Sequence, residues 1–193
     1  AKPWLRHILV SPSQVDSLLP TRPTYLNVLN MQKTKPIDYI ERTRAQYAAL
    51  NYPAYRWVEN LSAPPWTPLK KPLNQCKVAL ICSGGIYKKG QIAFHYEDDT
   101  SFRIIRSDTP KSDLRITHFA YDMTAARKDP NVVFPNEGLQ ALADEGAIGE
   151  FAQNAYTFMG GIYSSRKVSS QLAPELANRV IKDEVDVVVL VPV

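Results

Sequence analysis

His118-Phe119-Ala120-Tyr121-Asp122 sets an imidazole and a carboxylate four residues apart at the end of a strand-like stretch. An imidazole titrates near neutral pH, and a carboxylate can fix its orientation, so His118 and Asp122 form a candidate catalytic pair that orients a substrate or moves a proton. A loop histidine that only caps nearby backbone has the same appearance in sequence. The irregular passage from Tyr121 to Pro135 favours the functional reading, because ordered long loops in compact domains tend to be binding loops.

Two glycine pairs are candidate substrate-binding turns. Ser83-Gly84-Gly85 follows the apolar run Lys77–Cys82, and Phe158-Met159-Gly160-Gly161 closes a second strand-like run. Glycine lets backbone N–H groups approach an anion or carboxylate closely. Ser83, Gly84, Gly85, Gly160 and Gly161 can thus line one crevice, or each pair can be a plain turn. Neither stretch is a Walker loop or a dinucleotide fingerprint. Cys82 at the end of a buried run reads as a small apolar residue before it reads as a nucleophile. His95 with Glu97, Asp98 and Asp99 resembles a metal cluster only superficially and reads as a solvated turn. No Cys/His group has metal-ligand spacing.

The elements that must position these residues follow from the pattern. Lys77–Cys82 is a buried strand. Ser101–Ile105 and Asp113–His118 read as further strands, and Ala155–Met159 as a fourth. Val187-Val188-Val189-Leu190-Val191-Pro192-Val193 is unbroken and mostly β-branched, the mark of a strand buried on both faces of a parallel sheet. Pro36 to about Leu50 is a helix with Ile37, Ile40, Tyr47 and Leu50 near one face. Asn136 to Gly146 is a second helix, with Asn136 as its cap and Gly146 as its stop. Ser169 or Ser170 to Lys182 is a third, with Leu172, Leu176 and Val180 stacked four apart. The expected fold is α/β, a mostly parallel sheet flanked by helices, with an extended proline-rich N-terminal arm. The expected division is 1–73 for the arm, first helix and proline-rich connector, and 74–193 for a sheet domain left incomplete at its C-terminal end. In open α/β sheets ligands bind at the carboxyl ends of the strands.

Composition narrows the class. The chain has 193 residues, 45% of them hydrophobic, and a formal charge of +4. The basic residues are dispersed, with no basic helix and no nucleic-acid motif, so nucleic acid is not expected as a partner. No apolar run approaches the ~18 residues of a membrane span. The start lacks the apolar stretch of a signal peptide. Two cysteines are too few for a disulfide framework, which points to reduced thiols and the cytoplasm.

Taken in order, several stretches resemble one family: the selenoprotein B component of glycine, sarcosine and betaine reductases, with its D-proline reductase relatives. They are Pro36-Ile37-Asp38-Tyr39-Ile40, Tyr55-Arg56-Trp57-Val58-Glu59-Asn60, Val78 to Tyr87 with Cys82-Ser83-Gly84-Gly85, His118 to Asp122, Asn131-Val132-Val133-Phe134-Pro135, Glu145 to Gly149, Tyr156 to Gly160 and the closing valine-rich strand. No one of them is diagnostic; the resemblance rests on the ordered series from about Pro36 to Val193, which is fairly specific.

The resemblance implies a reductase acting on a small amine or amino-acid-like substrate, in a homo- or hetero-oligomer with partner reductase subunits. It implies a selenocysteine or cysteine directly after the equivalent of the last strand, whose anion attacks the carbon bearing the amine. It implies no cofactor in this chain, and in some members a pyruvoyl group on a partner subunit. The sequence departs from the pattern at Val193, where it stops, and neither Cys76 nor Cys82 matches the redox position. A selenocysteine codon read as stop, an incomplete record and a natural short form all remain open. The expectation is a missing continuation, so that the chain as written is inactive as a reductase. Two rivals stand beside this: a non-catalytic α/β interaction subunit using the arm Ala1–Lys35, and an unrelated thiol enzyme using Cys82.

Overall fold

The computed structural model describes residues 38–65 and 67–193. The expected arm, Ala1–Lys35, lies outside the described residues. Residues 38–63 and 64–193 form separate compact units.

In the first unit, α1 spans Tyr39–Ala49, and the Asp38 carboxylate accepts the Glu41 N–H at 3.0 Å as its cap. Asn51 ends the helix in the left-handed region, at φ 57°, a conformation asparagine tolerates. The chain then runs back in extended form. Tyr47 meets Tyr52 and Tyr55 edge-to-face, and Trp57 meets Tyr55 and Tyr39. The expected apolar face of α1 is not covered: no residue of the helix is buried.

The second unit is built on β1, Lys77–Cys82, buried from Val78 onward. It pairs in parallel with β7, Val187–Val191, from Val78↔Val187 to Cys82↔Val191. It also pairs in parallel with β5, Glu150–Phe151, and then with β6, Asn154–Thr157. Lys77 faces Glu150 but Ile81 faces Tyr156, so two extra residues are taken up at the break between β5 and β6. β3, Arg103–Arg106, completes the five-stranded sheet antiparallel to β6. The mostly parallel α/β sheet expected from the sequence is present.

The expected third strand differs. β4, Leu114–Ile116, leaves the main sheet and pairs antiparallel with β2, Ile86–Lys88. Three residues of alternating pattern fix which side faces the core but not which strand is the partner.

Strand β1 alternates between two cores, as a period of two requires. Val78, Leu80 and Cys82 join Ile86, Leu114, Phe134, Leu139 and Phe151 on one face. That side carries α2, Thr124–Lys128, and α3, Asn136–Asp144. Ile81 on the other face meets Tyr156, Leu172, Leu176, Val180 and Val188. There α4, Ser165–Lys167, runs through a π-helical turn, Val168–Leu172, into α5, Ala173–Lys182. Pro174, which has no N–H to donate, lies two residues after that turn. The stacked trio Leu172, Leu176 and Val180 is buried as expected.

Two expectations are corrected. Along β7 only Val187 and Val188 are buried; Leu190 is 44% exposed. Pro135, not Asn136, occupies the cap position of α3; Asn136 is buried in the first turn and its Nδ2 donates to the Ser107 carbonyl. Gly146 does lie just beyond the helix, at φ 72°. Among the described residues no helix is long and apolar enough to cross a membrane.

Candidate functional site at the carboxyl ends of the strands

Ser83 continues from β1, and its N–H donates to the Val191 carbonyl at 3.1 Å. Two residues beyond β7, the Val193 N–H donates to Ser83 Oγ at 2.8 Å. The two parallel strands therefore deliver their ends to one place.

The second glycine pair joins them there. Gly84 bridges Met159 antiparallel, and the flanking residues exchange bonds: Gly85 N–H to Phe158 O at 2.9 Å and Gly160 N–H to Ser83 O at 2.8 Å. A Cβ on Gly160 would lie 2.9 Å from Ser83 Cβ, and one on Gly84 would lie 3.0 Å from Val133 Cβ and 3.4 Å from Val193 Cγ2. Gly160 is thus held to glycine by its packing on Ser83, while Gly84 sits tightly against Val133 and Val193. Gly85 has φ 70°, and a Cβ there would run into the Thr117 carbonyl.

Most backbone donors of these bends are committed internally. Ser83, Gly85 and Gly160 donate to carbonyls, and Gly161 donates to Met159 Sδ at 3.1 Å. The Gly84 N–H takes no acceptor among the described residues. The expectation that both glycine turns present a row of donors to a carboxylate is therefore reduced to Gly84.

His118 enters the same cluster through Thr117, whose N–H donates to Gly85 O at 2.9 Å. Its side chain is 6% exposed. Nδ1 accepts the Ala120 N–H at 3.0 Å, while Nε2 is buried without a partner among the described residues. Burial holds the ring's pKa below the ordinary histidine value; the neighbouring Ser83 carbonyl opposes this without reversing it. Tyr121 packs its ring 4.7 Å from that of His118 and donates its hydroxyl to Gly84 O at 2.9 Å. Phe119 stacks between His118 and the exposed Tyr163, over the place where a Gly161 Cβ would sit. Sequence reasoning missed Tyr121, Phe119, Val133 and Tyr163 as parts of this cluster; only their position in aromatic or apolar runs beside the glycines could have suggested them.

Asp122 does not complete a pair with His118. Its carboxylate accepts the Thr124 N–H at 2.9 Å and hydroxyl at 2.6 Å, which opens α2, and these bonds lower its pKa. A short carboxylate two residues before a helix start meets local donors first.

The remaining candidates are structural. Cys82 is fully buried, and burial pushes its thiol pKa far up, so it stays protonated and unreactive. Cys76, also buried, directs Sγ to Pro72 O at 3.3 Å. Asp98 accepts the Tyr163 and Ser164 N–H groups at 2.7 and 3.2 Å, clasping its loop to the segment that follows Gly161. His95 and Asp99 bond within the same turn. Among the described residues no three His, Cys, Asp or Glu side chains are grouped to share a cation. Two depressions lie away from the bends: one of about 250 Å³ between Lys71, Cys76 and Asp186, and one of about 470 Å³ between Tyr87, Arg115 and Arg127.

The family described as glycine/sarcosine/betaine reductase selenoprotein B matches residues 55–193. The chain is 36% identical over 127 residues to the D-proline reductase subunit gamma of Acetoanaerobium sticklandii, covering 66% of this chain and 52% of that protein. It is 32% identical over 132 residues to the glycine reductase complex component B subunit gamma of Symbiobacterium thermophilum, covering 65% and 30%. It is 28% identical over 135 residues to the sarcosine reductase complex component B subunit beta of Peptoclostridium acidaminophilum, again 65% and 30%. The aligned part thus spans about half the length of the first relative and under a third of the other two. No solved structure matches the chain.

Proposed function

Because the chain belongs to the glycine/sarcosine/betaine reductase selenoprotein B family, we propose that it is a component B-like reductase subunit acting on a small amine or amino-acid-like substrate. Its redox nucleophile, a selenocysteine or cysteine, lies directly beyond Val193. The observation that carries the reading is the bond from Val193 N–H to Ser83 Oγ, which sets the end of β7 against both glycine bends and beside His118.

The chemistry suits that position. A chalcogenolate between the end of a parallel strand and the N-terminus of a helix that follows it would meet aligned N–H dipoles, which lower its pKa and keep it reactive. Its lone pair forms a bond to the substrate carbon as the C–N bond breaks, and the C–N electron pair departs with the amine, which leaves protonated. Release of the carbon fragment takes two further electrons, supplied by a thiol or selenol of a partner component. His118 and the Gly84 N–H orient the substrate, and Ser83, Gly85, Gly160 and Gly161 shape the crevice. Asp122 acts at one remove, by fixing the start of α2 beside the His118 loop. This chain holds no cofactor in the proposal; a pyruvoyl group on a partner subunit would supply activation of the amine. The setting is a cytoplasmic complex of reductase subunits. The relatives named as complex components support partner subunits. With the nucleophile beyond Val193, the 193 residues alone do not catalyse the reduction.

Peptide mapping after alkylation tests this. The protein isolated from its source is reduced, treated with iodoacetamide with and without substrate, and mapped by mass spectrometry. The proposal expects a substrate-protected selenocysteine or cysteine within a few residues after Val193, with loss of reductase activity on labelling. Protected labelling at Cys76 or Cys82, or full activity after labelling beyond Val193, would overturn it.

A further inference from the structure

The depression beside the β2–β4 hairpin takes no part in the strand-end site. It measures about 470 Å³ and lies between the hairpin, α2 and Pro130. Its lining has two parts. Leu114, Ala126 and Pro130 are buried and, with the half-buried ring of Tyr87, supply apolar wall. Lys111, Arg115, Arg127 and Lys128 are exposed and supply cationic groups, and no carboxylate belongs to the lining. Among the described residues only Lys111 of these cations has an ion-pair partner, Glu137 at 3.5 Å. Arg115 is held in place by one guanidinium nitrogen, which donates to the Ser112 and Leu114 carbonyls at 2.8 and 2.7 Å. The rest of its planar fork meets no acceptor among the described residues. Arg127 reaches only Met123 Sδ, at 4.0 Å. Carboxylates of the adjoining loops turn to other donors: Asp122 to Thr124, Asp129 to Asn131, and Glu137 to Asn131 as well as Lys111.

We propose that this groove binds a small organic anion carrying two or more negatively charged oxygen groups, phosphate or carboxylate. The Arg115 and Arg127 guanidinium groups are its main contacts, and Tyr87 and Leu114 flank its carbon body. A concavity lined by one sign of charge, with apolar walls, focuses the field and concentrates counter-ions. Repulsion would spread unliganded cations over the surface; here cations from β4 and from α2 converge on one depression. A guanidinium fixed by its own backbone contacts is already oriented for a two-oxygen acceptor, so little side-chain freedom is lost on binding. The volume falls within the roughly 300–1,000 Å³ of small-molecule sites. The inference stands apart from the function proposed above, which uses none of these residues.

Amide NMR of the full chain, titrated at low ionic strength, reads this directly. Sodium pyrophosphate in one arm and sodium citrate in another tell phosphate from carboxylate. The Tyr87, Arg115 and Arg127 amide resonances should shift and saturate below about 1 mM of at least one of the two, and not with sodium chloride at equal ionic strength. Arg115→Gln and Arg127→Gln should each weaken binding by about tenfold, the worth of one charge-assisted hydrogen bond. Arg127 has no contact but Met123, so its variant keeps the fold and the test. Lys70→Gln, at the other depression, should leave binding unchanged. Saturable binding of neither anion, equal shifts with sodium chloride, or unchanged binding in either arginine variant overturns the inference. The alkylation map beyond Val193 is independent of these outcomes, so the function can stand while this site falls.

Discussion

The Val193 N–H lies 2.8 Å from Ser83 Oγ, so a residue at the end of one strand is tied by its backbone to the hydroxyl that follows the neighbouring strand. This contact spans 110 positions of sequence. It converts two parallel strands into one site, because Ser83 also packs on Gly160 and borders the His118 ring through its carbonyl.

Ser83→Ala removes the acceptor of the Val193 N–H. The expected cost is about 0.5–1.5 kcal/mol in stability, the usual net worth of one such bond. Hydrogen exchange at the Val193 amide should rise by roughly 2- to 10-fold, while amides of Val188 and Val189 in the paired part of β7 keep their protection.

The glycines should rank by the space each would need. Gly85→Ala combines a positive φ with a collision at the Thr117 carbonyl, and is expected to cost more than the ~1–2 kcal/mol of a left-handed L-residue alone. Gly160→Ala forces Ser83 to move and should cost less. Gly138→Ala in α3 meets nothing within 4 Å and should stabilise by roughly 0.5–1 kcal/mol. Urea unfolding of the three variants reads the order.

His118 should make stability depend on pH in one window. Its folded pKa is lowered by burial, so the unfolded chain takes up the proton first as pH falls. The contribution is fully present above about pH 6.5, the ordinary histidine value, and is lost as pH falls from there toward the lower folded pKa. The urea midpoint of the wild-type chain should drop between pH 7.5 and 5.5 by more than that of His118→Gln. Equal drops would contradict it.

Both thiols should be silent in the folded chain. Cys76 and Cys82 are 1% and 0% exposed, and a thiol reagent at pH 8 should modify neither until denaturant is added. Cys82→Ser places a hydroxyl in an apolar site and should cost about 1–3 kcal/mol.

The parts of the fold that the residues themselves disclosed are those in which one physical rule dominates. Val78–Cys82 is apolar throughout and could only be an interior strand; Leu172, Leu176 and Val180 recur at helical spacing beside it. The gathering of Ser83, Gly160 and Val193 followed from the rule that parallel strands open their sites at their carboxyl ends. What stayed hidden was decided by competition between near-equal local options. Leu114–Ile116 alternates correctly but takes Ile86–Lys88 as partner instead of the main sheet. Asp122 has a histidine four residues back and a Thr124 N–H two residues on, and the nearer donor wins. The exposure of Leu190 at the far end of β7 is set by what packs on the sheet there, which no feature of the valine run encodes.

The central claim is that the end of β7 lies at the crevice between the two glycine bends. A cysteine appended directly after Val193, carrying a nitroxide label, tests it through paramagnetic broadening of amide resonances. The account predicts the strongest broadening at Ser83–Gly85, Gly160–Gly161 and His118–Ala120, with Lys71 and Asp186 at the opposite strand ends unaffected. Broadening that spares both bends, or centres on Lys71 and Asp186, would contradict it.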